Sequence, residues 1–181
     1  MVSQKPPLNL VGNHSLAYKD PVFESNSEIW VFNGKGATLP RYDVVFQMHL
    51  PVDWGGQWSI SWLKTNTKVP VFMREVHPDI PKSVRYPFED VFGMLEGVRL
   101  NGGPMRYFTS SIAWAIALAV LQDRPVIRLA GLEMTDTEYV NQKDCFAFWT
   151  GFAAGRGTEV AIDCANNIFN KPLYGSYPLQ G

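Results

Sequence analysis

A chain of 181 residues, 46% of them hydrophobic and 18% charged, has the composition of one globular domain with a sizeable core. The formal net charge of −1 gives no global positive field, which argues against nucleic acid and anionic membranes as partners. Cys145 and Cys164 lack metal-binding spacing, which favours a reduced cytosol. Because the N-terminus lacks a signal-like apolar stretch and the longest apolar run, Ile112 to Leu121, is too short to span a bilayer, we expect a cytoplasmic protein.

Six apolar runs along the chain predict β-strands. Several of them are nearly continuous rather than alternating, which is typical of strands that are covered on both faces of a parallel sheet. The predicted strands are Leu8–Gly12, Glu28–Asn33, Asp43–His49, Val69–Glu75, Pro125–Glu133 and Glu159–Cys164. We expect the first, second and fifth of these to be central and mainly parallel.

Helical patterns lie between these runs. Phe88–Glu96 carries apolar residues at helical spacing, Thr109–Leu121 opens on good N-cap chemistry, and Tyr139–Ala154 ends near Gly155. A shorter helix is predicted over Trp58–Lys64. The alternation of strands and helices predicts one doubly wound α/β domain over residues 1–181, with an irregular tail over residues 166–181.

In such a sheet, ligands bind outside the carboxyl ends of the strands. All three histidines of the chain, His14, His49 and His77, lie at or just beyond the ends of predicted strands and would lie on that rim. The alternative is that strand ends are polar in any case and that each histidine caps a loop. The five strand ends considered are Gly12-Asn13-His14-Ser15, Asn33-Gly34-Lys35-Gly36, Gln47-Met48-His49, Arg74-Glu75-Val76-His77 and Gly131-Leu132-Glu133-Met134.

Two polar segments are suited to an anionic ligand. The segment Gly12-Asn13-His14-Ser15 is neither the G-x-G-x-x-G fingerprint nor a Walker A motif, but it offers donors to a phosphate or a ribose. Its alternative is an ordinary strand-to-helix turn. The hydroxyls and free N–H groups of Thr109-Ser110-Ser111 can bind an anion, and their alternative is a plain N-cap.

Carboxylates and histidines are the groups in this chain with metal-binding chemistry. Asp136 and Glu138 have the spacing of a D-x-E pair that shares a cation, but acidic residues also favour a helix start. A site made by the three histidines is a further alternative. Neither spacing shows that these side chains come together in the folded protein, so the sequence assigns no metal.

Several segments together resemble a known superfamily. Val11-Gly12-Asn13-His14-Ser15-Leu16 resembles the G-x-G/N-P-S-L opening of Rossmann-like proteins that include the family 42 sialyltransferases, the motility-associated glycosyltransferase-like proteins and the archaeal pterin diphosphokinase-like proteins. Trp30-Val31-Phe32-Asn33 resembles their second strand. The stretch from Phe108 to Met134 resembles their "T-S-G … helix … l-x-G-x-D" block.

Two further segments, Glu138 to Gln142 and Gly151 to Gly157, resemble a group of uncharacterised bacteriophage proteins, which would place the chain in a bacterial host cytoplasm. The chain departs from the superfamily pattern at three positions. His14 replaces a proline, Ser111 replaces the glycine after Thr-Ser, and Glu133 stands where an aspartate is common. No match to the sialyltransferase catalytic histidine is identified.

The resemblance implies a three-layer Rossmann-like fold with helices on both faces of a mainly parallel sheet. It also implies a pocket for a nucleotide or nucleotide-sugar, which is the one small-molecule ligand expected. The N-terminus of the helix at Thr109 should face the same cleft as Asn13 and Asn33. The residues expected to bind the ligand are Gly12, Asn13, Ser15, Asn33, Thr109, Ser110 and Gly131.

Three functions follow as hypotheses. The first is a nucleotide-binding, glycosyltransferase-like protein, in which His14, His49 or His77 is the general base and Glu133 a secondary candidate. The second is a non-catalytic protein that sequesters a nucleotide. The third is a virion-associated or other structural scaffold, with an exposed patch of Trp54, Trp58 and Trp62 that would otherwise cover the sheet. The sequence does not decide whether copies of the chain assemble.

Overall fold

The computed structural model describes residues 5–12, 26–53, 61–66, 68–132 and 141–163. Within these ranges the strands are β1 (Leu8–Val11), β2 (Glu28–Phe32), β3 (Val44–Gln47), β4 (Val71–Met73), β5 (Ser83–Arg85), β6 (Arg99–Leu100), β7 (Gly103–Pro104), β8 (Val126–Ala130) and β9 (Glu159–Asp163). The helices are α1 (Ser61–Asn66), α2 (Phe88–Gly93), α3 (Ser111–Leu121) and α4 (Lys143–Gly155). Two 3-10 helices span Asn33–Thr38 and Pro51–Asp53.

Seven strands form one parallel sheet in the order β5-β4-β3-β2-β1-β8-β9. β1 lies between β2 and β8, and its residues Leu8 to Val11 are all fully buried. The prediction that the first, second and fifth apolar runs are central parallel strands is therefore confirmed. Continuous apolar sequence works here because a strand in the middle of a three-layer domain has no solvent-facing side.

Helices cover both faces of the sheet, as predicted. On one face, the aromatic face, Leu10, Trp30, Phe32 and Phe46 pack against α2, α3 and α4. This face holds a nearly continuous chain of ring contacts, in which Phe108 stacks on Trp114 with ring centroids 3.6 Å apart. Aromatic side chains bury large areas, so this face supplies much of the hydrophobic stabilisation of the domain.

The opposite face, here the α1 face, contains Val11, Val31 and Val45 and packs against Leu63 of α1. Trp62 of α1 lies over Gly36, where an added Cβ would sit 2.7 Å from the indole, and its ring centroid is 5.6 Å from that of Tyr42. Trp62 therefore packs against the sheet. The scaffold hypothesis expected it to lie in an exposed patch, and for this residue that expectation is wrong. Trp54 and Trp58 lie outside the described residues.

The structure adds two features to the predicted elements. One is β5, three residues that extend the sheet beyond β4. The other is the hairpin β6–β7, which is not among the predicted strands. Asn101 and Gly102 both have positive φ, at 50° and 80°, and two such residues in sequence form the turn that matches the twist of paired strands. The Asn-Gly dipeptide was the signal for this hairpin.

Helix boundaries differ modestly from the prediction. α2 ends at Gly93 rather than Glu96, α4 spans Lys143–Gly155, and α1 covers Ser61–Asn66. No helix among the described residues is both long enough and apolar enough to cross a membrane. Cys164 and the tail over 166–181 lie outside the described ranges.

Candidate functional site

The strand order reverses at the boundary between β1 and β8. From β1 the chain adds strands on one side through β5, and from β8 it continues on the other side to β9. In open α/β sheets, ligands bind in the crevice outside the carboxyl ends of the strands at such a switch point. We call the edge of the sheet at which the parallel strands end the carboxyl rim. Gly12 and Gly131 are the first residues after β1 and β8 at this rim.

The two glycines are in very close contact. The N–H of Gly12 donates to the carbonyl of Ala130 at 2.8 Å, and a Cβ on Gly12 would lie 2.3 Å from the carbonyl oxygen of Gly131. Gly131 itself has a φ of +65°, in the left-handed region that favours glycine. No side chain larger than hydrogen fits at Gly12, so backbone lines the rim at the switch point.

Asn33 is the first residue after β2, the strand next to β1. Its φ of +52° turns the chain out of the strand and into the 3-10 helix Asn33–Thr38. Asparagine tolerates this conformation better than most residues. Asn33 is only 5% exposed, and its Oδ1 is buried without a hydrogen-bond partner. A buried polar atom without a partner is uncommon and needs an explanation.

Lys35 brings positive charge close to Asn33. It lies in the same 3-10 helix and is half-buried. Burial lowers its pKa from the ordinary lysine value, because desolvation disfavours the ammonium form. A partly desolvated ammonium group gains more from an anion than an exposed one does. Lys35 is therefore a local cation on a protein whose overall charge is close to zero.

The N-terminus of α3 also belongs to the carboxyl rim. At its C-terminal end, the carbonyl of Gln122 accepts a hydrogen bond from Lys5, which precedes β1 at the opposite rim. α3 then leads directly into β8, so its first turn lies toward the carboxyl ends of the strands. Contacts from α4 hold the segment before α3. Trp149 Nε1 and Cys145 Sγ both donate to the carbonyl of Tyr107, and Thr109 N–H donates to Cys145 Sγ.

Ser110 is the N-cap of α3. Its backbone is extended, and its Oγ accepts from the N–H of Ala113 at 3.3 Å, so the helix begins at Ser111 rather than at Thr109. Ser110 therefore acts as an ordinary N-cap, which is the alternative interpretation of Thr109-Ser110-Ser111. Thr109 precedes the helix and is exposed. Burial raises the pKa of the Cys145 thiol, so this cysteine is not an activated nucleophile.

The described histidines do not gather at the switch point. His49 and His77 follow β3 and β4, which are two and three strands away from β1. With strands about 4.8 Å apart, this places them roughly 10 Å and 14 Å to the side of Gly12. Nδ1 of His77 accepts from the N–H of Asp79, and the backbone of His77 is bonded to Ser83 Oγ, so this residue stabilises its own loop.

Four of the predicted site residues, Asn13, His14, Ser15 and Glu133, lie outside the described residues, as do Asp136 and Glu138. Among the residues that the structure describes, no group of three His, Cys, Asp or Glu side chains is placed to hold a metal ion. The predicted residues that the structure brings to the neighbourhood of the switch point are Gly12, Asn33, Thr109, Ser110 and Gly131.

Gln47, the last residue of β3, is not among the residues that the sequence predicts to bind the ligand. It is completely buried, and it follows Phe46, the register partner of Phe32. Gln47 therefore lies one position beyond the last paired residues of β2 and β3, beside Asn33. An amide at the end of an otherwise apolar run was the available signal, since a buried polar side chain is more informative than another buried valine.

No protein-family model matches the sequence, and no curated protein sequence matches it significantly. Among solved structures, the fold is similar to that of the sialyltransferase CstII from Campylobacter jejuni in complex with a substrate analogue, cytidine-5'-monophosphate. The TM-score is 0.55 at 11% identity, covering 89% of this chain and 80% of the other. A second CstII structure, in complex with CMP-3FNeuAc, gives a TM-score of 0.53 at 10% identity, covering 89% and 82%. The chain thus has a glycosyltransferase-like, Rossmann-like α/β fold.

Proposed function

We propose that this chain binds a nucleotide or nucleotide-sugar at the carboxyl rim, between the ends of β1, β2 and β8. The observation that carries the proposal is the buried Oδ1 of Asn33, which has no hydrogen-bond partner. Leaving a buried acceptor unsatisfied costs about 1–3 kcal/mol, and a ligand hydroxyl or amine that donates to it would remove that cost. Nucleotides carry such donors on the ribose and on the base.

The other residues of the rim take complementary roles in the proposal. The Gly12–Gly131 contact keeps side chains away from the switch point, so a phosphate or sugar can approach the backbone closely. The first turn of α3 and the ammonium group of Lys35 favour negative charge there. Thr109 and Ser110 would contribute from the α3 side, and Asn13 and Ser15 from the segment after Gly12.

Support for the ligand class comes from the fold. The two CstII structures hold cytidine-5'-monophosphate and CMP-3FNeuAc, and this chain shares their fold. At 10–11% identity the residues of the two sites cannot be equated, so the proposal for this chain depends on its own rim.

A non-catalytic binding protein is the form of this proposal that the described residues favour over a transferase. A general base must lie within hydrogen-bond reach of the acceptor hydroxyl. His77 is engaged in its own loop, and His49 lies two strands from the switch point. A transferase would have to use His14 or Glu133, or an acceptor that reaches across to His49. Recovery of intact ligand after incubation and denaturation separates binding from turnover.

The test is isothermal titration of the protein with cytidine-5'-monophosphate and with the mono- and diphosphates of the other nucleosides. Asn33→Ala should weaken the binding of the best ligand about tenfold or more, because a bond to a buried amide is lost. Asn101→Ala is the matched control, since Asn101 has the same left-handed backbone, at φ +50°, but is exposed in the β6–β7 turn. The proposal fails if no nucleotide binds, or if both variants bind as the unsubstituted protein does.

A further inference from the structure

Arg128 is a charged residue in the middle of β8, a strand that is otherwise apolar. Its chain neighbours Ile127 and Leu129 belong to the aromatic face, so the alternation of side chains along the strand puts Arg128 on the α1 face. The residue is half-buried, and β8 lies between β1 and β9 in the sheet. This cation therefore sits on the sheet itself and not on a loop at its rim.

The other arginines that are not exposed each have a carboxylate partner. Arg124 pairs with Glu28 at 2.6 Å, and Arg41 pairs with Asp43 at 3.4 Å. Arg128 forms no ion pair, hydrogen bond or ring contact with any residue in the described ranges. A guanidinium stays protonated in proteins, and its partial removal from water without a counter-ion is unfavourable. Arg128 thus carries a positive charge that the described part of the fold does not neutralise.

The neighbours of Arg128 across the sheet leave one side of it open. Its register partners are Asn9 of β1 and Ala161 of β9. Asn9 is fully buried, whereas Ala161 is exposed and has only a methyl side chain. Glu159 shares the face of Ala161, two positions earlier in β9, but its carboxylate forms no ion pair with Arg128. Solvent therefore reaches the α1 face beside Arg128 from the side of β9.

A half-buried guanidinium with an open side suits an oxyanion. Its planar N–H groups match two oxygens of a phosphate or a carboxylate, and partial burial strengthens such a bond. The anion would be distinct from one at the start of α3, because α3 packs on the aromatic face of the sheet. It would also be distinct from one at Lys35, which follows β2, two strands away from β8.

We propose that Arg128 is the centre of an anion-binding site on the α1 face of β8 and β9, which takes the phosphate or carboxylate group of a small molecule. The guanidinium donates to two oxygens of that group, and the ligand enters over Ala161. Neither Asn33 nor the start of α3 belongs to this site. The inference therefore goes beyond the proposed nucleotide-binding function and does not depend on it.

The first experiment measures the melting temperature against the concentration of inorganic phosphate and, separately, of acetate, at an ionic strength held constant with sodium chloride. An anion that binds only the folded protein should raise the melting temperature by about 5–10 °C at one hundred times its dissociation constant. A response to phosphate alone identifies a phosphate site, and a response to acetate alone identifies a carboxylate site. A response to both identifies a site for either oxyanion. No response to either overturns the inference.

The second experiment assigns the response to Arg128. Arg128→Met keeps an unbranched side chain and removes the charge, so it should abolish the response. Arg128→Lys keeps the charge without the planar fork, and it should weaken anion binding about tenfold. Arg99→Met is the control, because Arg99 is exposed in the β6–β7 hairpin and donates only to the carbonyl of Gly102. That variant should keep the full response.

The melting temperature of Arg128→Met without phosphate or acetate gives an independent check. It should equal or exceed that of the unsubstituted protein, because a half-buried charge without a counter-ion has been removed. A clear fall would show that a partner within the fold already stabilises Arg128, and it would overturn the site. A phosphate response that persists in Arg128→Met, or falls equally in Arg99→Met, overturns it as well. If no nucleotide binds while the response depends on Arg128, only the proposed function fails.

Discussion

Gly12 and Gly131 touch at the point where the strand order of the sheet reverses, and a Cβ on Gly12 would lie 2.3 Å from the carbonyl oxygen of Gly131. The same added atom would lie 2.4 Å from a methyl carbon of Leu132, which is itself buried. The contact holds the ends of β1 and β8 together by backbone alone. On the β2 side, the polar residue at the neighbouring strand end is Asn33.

The contact predicts that Gly12→Ala is strongly destabilising. Backbone atoms cannot move aside as a flexible side chain does, and overpacking of this kind costs about 1–3 kcal/mol. The free energy of unfolding, measured by urea denaturation, should fall by that amount. Gly151→Ala in α4 is the control, because no atom lies within 4 Å of its added Cβ. That variant should be stabilised by about 0.5–1 kcal/mol through the better helix propensity of alanine. Equal stability of the two variants would contradict the close contact.

Substitutions at Ser110 separate its capping role from an anion-binding role. Ser110→Ala removes the acceptor for the Ala113 N–H and should cost about 1 kcal/mol of stability. Ser110→Asp keeps an N-cap acceptor, so its melting temperature should stay close to that of the unsubstituted protein. A carboxylate there would repel a phosphate, so Ser110→Asp should weaken nucleotide binding about tenfold at low salt. Unchanged affinity in Ser110→Asp would show that the phosphate does not bind at the start of α3.

Tyr86 predicts a pH dependence of stability. Its ring is fully buried, its hydroxyl donates to the carbonyl of Trp114 at 2.8 Å, and burial raises its pKa well above the ordinary value. The unfolded chain loses this proton near pH 10, while the folded protein keeps it. Tyr86 therefore stabilises the fold fully below pH 10. Above pH 10, stability falls by about 1.4 kcal/mol per pH unit from this group.

The measurement is the free energy of unfolding between pH 8 and pH 11 for the unsubstituted protein and for Tyr86→Phe. Tyr42 and Tyr107 also have pKa values raised by burial, so the difference between the two proteins isolates Tyr86. Tyr86→Phe should be less stable by about 1 kcal/mol at pH 8 and should lose stability less steeply above pH 10. If the stability of the two proteins fell equally with pH, the Tyr86 phenol would ionise at the same pH in the folded and unfolded states.

Sequence patterns predicted the main strands for a simple reason. A strand buried on both faces must be apolar at successive positions, and Leu8–Val11 and Glu28–Phe32 largely satisfy that requirement before any tertiary contact is known. β5, with Ser83–Arg85, shows no such pattern, because an edge strand is half exposed and needs no continuous apolar run. The hairpin at Asn101-Gly102 was missed although its turn chemistry was present, since its strands are only two residues long.

The position of a residue at a strand end is a property of the sequence, and so is its chemical type. The sequence alone therefore predicted that Gly12, Asn33, Gly131 and the histidines would lie at one rim of the sheet. The lateral distances along that rim depend on strand order, which is set by how the strands pair in three dimensions. That order places Asn33 one strand from Gly12 and moves His49 and His77 away from it. Burial of the Asn33 oxygen without a partner likewise exists only once β2 and β3 lie side by side, because solvent exclusion is a property of the packed sheet.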